Sequence, residues 1–224
     1  MTINPALFRL LQLVSPGLPI GMYSYSQGLE RAVNDGWVGN ADDAVNWLLG
    51  LLKQNLARAD APILARLYDA WQDQDINAVE YWSQMLMACR ESSELRNEDR
   101  QTGQALARLL AKLDMAEAQP WQRRQDATLA CLFALAAMRW QIARRDAIAG
   151  YLWGWLENQT LCAVKLIPLG QVAGQQLLKK LADRLPELVE QAEALDDSEI
   201  GGGCFGLALA SSRHEVQYSR LFRS

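Results

Sequence analysis

The sequence has little of the residue types on which most enzyme chemistry depends. Among 224 residues there are one histidine, His214, and four cysteines, Cys89, Cys131, Cys162 and Cys204. The cysteines are widely separated and form no C-x-x-C pair, which excludes a zinc-finger motif and a dense disulfide framework. Their scatter indicates free thiols in a reducing compartment, although the sequence does not exclude that folding brings two of them together.

Motifs for nucleotide binding and acid–base catalysis are also missing. Neither G-x-x-x-x-G-K-[ST] nor G-x-G-x-x-G after a strand is present. The glycines of residues 201–206 follow no strand and indicate a hinge. His214 lies in a polar terminal stretch, where we expect a flanking residue of a docking arm, because a general base needs fixed surroundings. The sequence therefore predicts no enzyme activity, no metal site and no cofactor.

Long apolar runs and a basic charge balance are absent as well. The formal net charge is −4, so the chain lacks the positive footprint of a nucleic-acid-binding protein. The longest nearly apolar run, residues 128–138, is shorter than the ~20 residues of a membrane span. Arg9 interrupts the apolar residues 6–14, which is not the pattern of a signal peptide. We expect a cytoplasmic protein with no membrane or nucleic-acid partner.

Helical periodicity is present almost everywhere in the chain. Hydrophobic residues make up 50% of the sequence, and they recur mainly at helical spacing. The sequence predicts an all-α, single-domain bundle of about nine or ten helices. We expect residues 1–210 to form this domain and residues 211–224 to be a flexible, partner-docking tail. We also expect a helix break near residues 58–61 and a loop at residues 117–123.

The most unusual stretch is SPGLPIGMYSYSQGLER at residues 15–31. Its prolines and glycines predict a rigid, specifically bent turn, and residues 24–36 read as a helix that Ser24 or Ser26 caps. Tyr23 and Tyr25 lie at the junction, and tyrosine is a residue type that protein interfaces favour. The alternative is that these two rings only close a corner between helices.

Three other features are candidates for partner contact. The charged run of residues 91–100 is read as a solvated face or as a partner contact. Lys165 lies between apolar turns of a predicted helix. Gln171 and Gln175 align one helical turn apart, where they either bind a partner or bridge buried backbone groups. Gly103 costs ~1 kcal/mol within a helix, which predicts a close helix approach or a kink.

Four motifs carry a resemblance to a known family. They are SPGLPIGMYSYSQGLE in residues 15–30, ESSELRNEDRQTG in residues 91–103, LGQVAGQQLL in residues 169–178 and HEVQYSRLFRS in residues 214–224. Together they resemble the UreF family of urease accessory proteins. Because the motifs occur at both ends and in the middle, the resemblance covers nearly the whole chain.

The resemblance implies a non-catalytic scaffold or chaperone for urease maturation. Such a protein joins UreD, called UreH in some organisms, and the GTPase UreG to apo-urease for nickel insertion, and it forms a homodimer. The missing phosphate-binding loop then belongs to UreG. An alternative is that the protein activates or gates the GTPase activity of UreG, with Arg220 or Arg223 as an arginine finger.

Two surfaces are predicted for these partners. The terminal segment combines a glycine hinge with sparse apolar anchors among polar residues, so we expect it to become ordered when UreD binds. Its candidate contact residues are Tyr218, Arg220, Leu221, Phe222 and Arg223. We expect UreG to meet a surface that includes Tyr23, Ser26, Glu30 and Lys165.

Overall fold

The fold is built from α-helices, and the computed structural model describes residues 4–224. The α-helices are α1 (Pro5–Leu13), α2 (Leu29–Asn34), α3 (Ala41–Leu51), α4 (Ala61–Gln72), α5 (Ile76–Ala88), α6 (Ser93–Lys112), α7 (Leu129–Arg139), α8 (Arg144–Leu166), α9 (Gln171–Ala182), α10 (Leu185–Ala194) and α11 (Phe205–His214). A π-helix, Leu52–Asp60, joins α3 to α4, and the 3₁₀ segments are Met22–Ser24, Ala116–Arg123 and Asp197–Glu199.

The all-α prediction is confirmed. If the continuous α3–π–α4 unit is counted once, residues 4–224 form ten α-helices, and no strand occurs among them. Local chemistry explains several of the helix starts. The side chains of Asn40, Asp75, Ser92 and Thr128 each accept a backbone N–H bond at the beginning of a helix. Within the same residues, no helix is both long and apolar enough to cross a membrane.

Helix α7 forms the centre of the core. Nearly all of its side chains are buried, and α4, α6 and α8 pack around it. The carbonyl of Cys131 accepts a 3.0 Å bond from the Trp71 indole, so the polar edge of a core tryptophan is satisfied. The nearly apolar run of residues 128–138 therefore forms the central helix, which starts at Leu129 because Thr128 caps it.

Two glycines permit close helix packing. A Cβ atom added to Gly103 would lie 2.3 Å from the carbonyl oxygen of Ala127, so α6 meets the segment before α7 in backbone contact. A Cβ atom on Gly150 would lie 2.5 Å from a methyl group of Leu10, which packs α1 onto α8. The close approach predicted for Gly103 is confirmed.

Several predicted boundaries are wrong. Residues 24–36 do not form one helix, because Gln27 and Gly28 adopt left-handed backbone angles with φ of 50° and 77°, and α2 begins only after them. Residues 58–61 contain no break, because the π-helix runs directly into α4. Residues 117–123 are not a loop, since they lie within a 3₁₀ segment.

The chain end differs from the predicted tail boundary. Helix α11 continues through residue 210 to His214, and residues 215–224, called here the C-terminal segment, return across the body of the protein. The preceding glycines are packed: Gly201 N donates to Arg58 O at 2.9 Å, and a Cβ atom on Gly202 would lie 2.6 Å from Gln54 O. Partner-dependent ordering of the C-terminal segment stays a prediction.

Candidate functional site

The bent turn of residues 15–31 is held in place by one glutamine. Gln27 Nε2 donates to Glu98 Oε1 at 2.7 Å, and Gln27 Oε1 accepts from the Trp155 indole at 2.6 Å. These bonds tie the turn to α6 and α8 at the position where Gln27 has a positive φ. Gly28 follows, and a Cβ atom there would lie only 3.1 Å from Ala210 of α11.

Ser26 joins this turn to the end of the C-terminal segment. Its side chain is fully buried, and both its N–H and its hydroxyl donate to the carbonyl of Ser224. The same hydroxyl accepts the backbone N–H of Glu30 at 3.2 Å. Ser26 therefore joins two chain segments instead of serving as the simple helix cap predicted from the sequence.

Glu30 is the main anchor of the C-terminal segment. The residue is 5% exposed, and its carboxylate accepts the backbone N–H groups of Leu221 and Phe222 at 2.8 and 2.9 Å. Gln217 Nε2 approaches the same carboxylate at 3.4 Å. The carboxylate also lies in the first turn of α2, where the helix dipole favours negative charge. The Glu30 carboxylate thus supplies the hydrogen-bond acceptors that backbone carbonyls supply in regular secondary structure.

His214 is buried next to this anchor, which contradicts the prediction of a histidine without fixed surroundings. Its ring Nδ1 lies 2.7 Å from Glu94 Oε2, and its Nε2 lies 3.4 Å from Glu30 Oε2. Arg220 Nη1 donates to the other oxygen of Glu94 at 2.6 Å. The end of α11, the start of α6 and the C-terminal segment therefore share one charged cluster.

Glu98 lies one helical turn beyond Glu94. It accepts the hydroxyl of Ser224 at 2.9 Å in addition to the amide of Gln27. Burial raises the pKa of Glu98 to about 7, and the hydrogen bonds from Gln27 and Ser224 oppose this rise. The C-terminal segment thus ends against a carboxyl group that titrates near neutrality.

The two tyrosines of the turn occupy different environments. Tyr25 is buried, its hydroxyl donates to Gln101 Oε1 at 2.8 Å, and its carbonyl accepts Asn158 Nδ2 at 3.1 Å. Burial raises the pKa of Tyr25. Tyr23 is half-buried. Its pKa is raised mainly by burial and further by the nearby Glu157 carboxylate. Tyr25 is bonded in the way that the corner-closing interpretation requires.

A narrow cavity of about 60 Å³ lies behind the bent turn. Its walls include Tyr23, Asn158, Glu98, Asp60 and Arg90. No three His, Cys, Asp or Glu side chains within residues 4–224 are grouped so that they can hold a metal ion.

Arg90 forms buried ion pairs in this region. Its guanidinium binds both oxygens of Asp60 at 2.6 and 3.0 Å and Asp99 at 2.8 Å. Asp60 also accepts the Tyr151 hydroxyl at 3.2 Å. Bidentate geometry and full pairing are what a buried guanidinium needs to offset its desolvation.

The interpretation of residues 91–100 as a solvated face is therefore wrong for three of their carboxylates, Glu94, Glu98 and Asp99, whereas Glu91 is exposed. The Glu98 and Asp99 residues are each 5% exposed, and the Glu94 side chain is 12% exposed. Arg90 does not pair with Glu94, because it precedes α6 and turns toward Asp60 and Asp99. Tertiary partners rather than solvent surround these carboxylates.

The other predicted residues have mixed positions. Lys165 is exposed on α8, with its Nζ 5.6 Å from the ring centroid of buried Phe222. Gln171 and Gln175 are exposed on α9, which packs against α8 and α3. The structure thus brings Lys165 to the C-terminal segment and leaves both glutamines on a helix surface.

The outer face of the C-terminal segment is apolar and exposed. Tyr218 is fully exposed, and Leu221 and Val216 are 65% and 84% exposed. Arg220 is held by Glu94 and by the carbonyls of Gln217 and Glu215. Arg220 is therefore committed to internal contacts, which does not favour its use as an arginine finger.

Comparison with known proteins assigns the family. A family model named UreF matches residues 38–182, more than half of the chain. The chain belongs to the UreF family. Urease accessory protein UreF of Alkalilimnicola ehrlichii is 57% identical over 223 residues, which cover 99% of this chain and 98% of that protein.

Other UreF relatives are also similar over their whole length. The urease accessory protein UreF of Alcanivorax borkumensis is 47% identical over 227 residues and 99% of each chain. That of Pseudomonas putida is 48% identical over 224 residues and 100% of each chain. The matches include the bent turn and the C-terminal segment, which lie outside the family-model range. The resemblance inferred from four motifs is confirmed.

Several residues of this UreF site were missed in the sequence. His214, Glu94, Glu98 and Gln27 hold the two ends of the chain together, yet none was predicted as a site residue. The available signal was the spacing of Glu94 and Glu98, which puts two carboxylates on one face of α6. Their partners come from the distant ends of the chain, so local spacing does not reveal the contact.

Proposed function

We propose that this UreF-family protein is a non-catalytic scaffold of urease maturation in the cytoplasm. It joins UreD (UreH) and the GTPase UreG to apo-urease for nickel insertion. The family assignment supports the role in urease maturation. The observation that carries the scaffold proposal is the C-terminal segment, which presents exposed apolar side chains on a firmly bonded base.

The C-terminal segment is the surface we propose for UreD. Its inner side is anchored through Glu30, Ser26 and Phe222, while Tyr218 and Leu221 face outward. Because the base of the segment is already bonded, its backbone loses less conformational freedom on binding, which favours affinity. A partner that covers Tyr218 and Leu221 would remove apolar surface from water.

Capture of purified UreD tests this surface. We expect Tyr218→Ala to weaken capture at least about tenfold, as loss of an interface aromatic does when it is a binding hot spot. Tyr81→Ala is the matched control, because Tyr81 is also an exposed tyrosine but lies on α5. Equal capture of UreD by the wild type and the Tyr218 variant would contradict the assignment of this surface.

We propose that UreG meets the protein near Lys165 and the half-buried Tyr23. Ser26 and Glu30, which we also assigned to this surface, lie beneath the C-terminal segment, so we propose that they act by holding it. Gln171 and Gln175 extend the exposed polar surface along α9. The cation of Lys165 suits an acidic partner patch.

A pull-down of UreG in the presence of UreD tests the Lys165 surface. We expect Lys165→Ala to lose UreG while it retains UreD. Lys112→Ala is the control, because Lys112 is an exposed lysine at the end of α6. Retention of UreG by the Lys165 variant would contradict the placement of UreG at Lys165. It would not contradict the surface proposed for UreD.

We propose that the exposed face of α1 supports a homodimer. Leu7, Phe8 and Leu11 lie on this helix with more than half of each side chain exposed. Such a cluster is costly in water and suits an interface. We expect Phe8→Glu to convert the dimer to a monomer in sedimentation analysis. Ile76→Glu on α5 is the control, and we expect it to sediment as a dimer like the wild type. A dimeric Phe8→Glu protein would contradict this placement.

A further inference from the structure

His214 has a carboxylate oxygen opposite each of its two ring nitrogens. Nδ1 lies 2.7 Å from Glu94 and Nε2 lies 3.4 Å from Glu30. A neutral imidazole has one N–H group and one lone pair, whereas the imidazolium has two N–H groups. Two contacts to acceptors therefore need one proton more than a neutral ring carries.

The two carboxylates are themselves bonded as anions. Both oxygens of Glu30 accept backbone N–H groups, from Leu221 and Phe222. The remaining oxygen of Glu94 accepts the Arg220 guanidinium at 2.6 Å. The bond from the Arg220 guanidinium favours a carboxylate at Glu94, and an imidazole nitrogen is a stronger base than a carboxylate oxygen. The extra proton therefore belongs to the ring.

We infer that His214 is held as an imidazolium and is the positioning residue that fixes the C-terminal segment against α2 and α6. The ring neutralises part of the charge that Glu30 and Glu94 bring into a buried site. When the ring is neutral, the buried Glu30 carboxylate has less positive charge near it. Its bonds to Leu221 and Phe222 then stabilise the folded segment less. Loss of the ring proton therefore weakens the attachment of the segment.

The charges around the ring decide the direction of this effect. Glu30 faces it from α2 and Glu94 from α6, and Arg220 of the C-terminal segment reaches it only through Glu94. The adjacent Arg213 turns away and pairs with Asp35. The direct neighbours are both anions, which favour the charged ring. The attachment is therefore strongest at lower pH and weakens as the ring deprotonates with rising pH.

The consequence for partner docking rests on the function proposed above. The segment that His214 positions is the one that carries Tyr218 and Leu221, so the histidine sets the pH range in which this surface is presented. The inference about the ring itself depends only on this chain, and it is tested without any partner.

Nuclear magnetic resonance of the isolated full-length protein tests the inference directly. The chain contains a single histidine, so its ring nitrogen signals need no further assignment. We expect both ring nitrogens to be protonated at pH 6. We also expect the amide protection factors of Leu221 and Phe222 to fall at least about tenfold as the ring loses its proton. A neutral ring at pH 6, or protection that is unchanged when the ring deprotonates, would overturn the inference.

Two variants separate positioning from general stability. His214→Gln keeps a polar side chain without a titrating charge, so we expect low protection of Leu221 and Phe222 with no step that follows a ring titration. Arg213→Gln is the matched control, because it changes the neighbouring cation outside the cluster and keeps the wild-type pH step. If the His214→Gln protein shows the same pH-dependent fall in amide protection as the wild type, that fall is due to Glu98 and the inference is overturned.

Discussion

Arg90 is a buried cation whose removal leaves two carboxylates without compensation. We predict that Arg90→Met lowers the free energy of unfolding by about 3–5 kcal/mol, because Asp60 and Asp99 stay buried as unpaired anions. Urea denaturation at neutral pH measures this loss. Arg145→Met is the control, since the exposed pair of Arg145 with Glu190 contributes less than about 1 kcal/mol. Equal losses in both variants would contradict the assigned role of Arg90.

Glu98 makes stability depend on pH in the direction opposite to a salt-bridged acid. Burial raises its pKa from the ordinary 4.5 to about 7, so between these values the folded protein binds a proton that the unfolded chain does not. Stability contributed by this proton is present at low pH and is lost as pH rises toward 7.

Glu98→Gln removes this dependence. The amide resembles the neutral acid, so we predict that the variant is more stable than the wild type at pH 8, by up to about 3 kcal/mol, with little difference at pH 4.5. Urea denaturation at both pH values measures the two differences. A constant difference across this range would show that the carboxyl does not titrate as its burial implies.

At the scale of elements, the contact between α6 and the segment before α7 depends on Gly103. We predict that Gly103→Ala lowers the free energy of unfolding by at least about 2 kcal/mol, because its Cβ would lie 2.3 Å from a backbone carbonyl. Gly50→Ala is the matched control. Its Cβ meets no atom within 4 Å, so alanine stabilises α3 by about 0.5–1 kcal/mol. Thermal or urea unfolding measures both changes in the free energy of unfolding, which we expect to have opposite signs.

Some helices are predictable from local sequence, whereas some helix boundaries are not. The nearly apolar run of α7 predicts this helix well, since a helix that is apolar on all sides is buried on all sides. The late start of α2 and the π-helix before α4 were not predicted. Both regions contact remote segments that local sequence does not reveal: Ser26 bonds to Ser224, and the π-helix packs on Gly202.

At the scale of the whole molecule, one hydrophobic core contains buried residues from α1 through Phe222. We therefore predict a single unfolding transition, with tryptophan fluorescence and far-ultraviolet circular dichroism giving the same midpoint. Two separated transitions would show that part of the chain folds independently. Detachment of the C-terminal segment before this transition changes few buried contacts and is detected by amide exchange instead.

The sequence by itself determined the all-α class, most helix positions and the family. These properties follow from local spacing, helix-capping residues and contiguous motifs, all of which lie within a few turns of chain. The tertiary structure alone decided the environments of Glu30, Glu98 and His214. Their pairing joins residues that are more than a hundred positions apart, and burial raises the pKa of Glu98 far above that of an exposed glutamate. Folding is the step that removes water from these groups and supplies their partners.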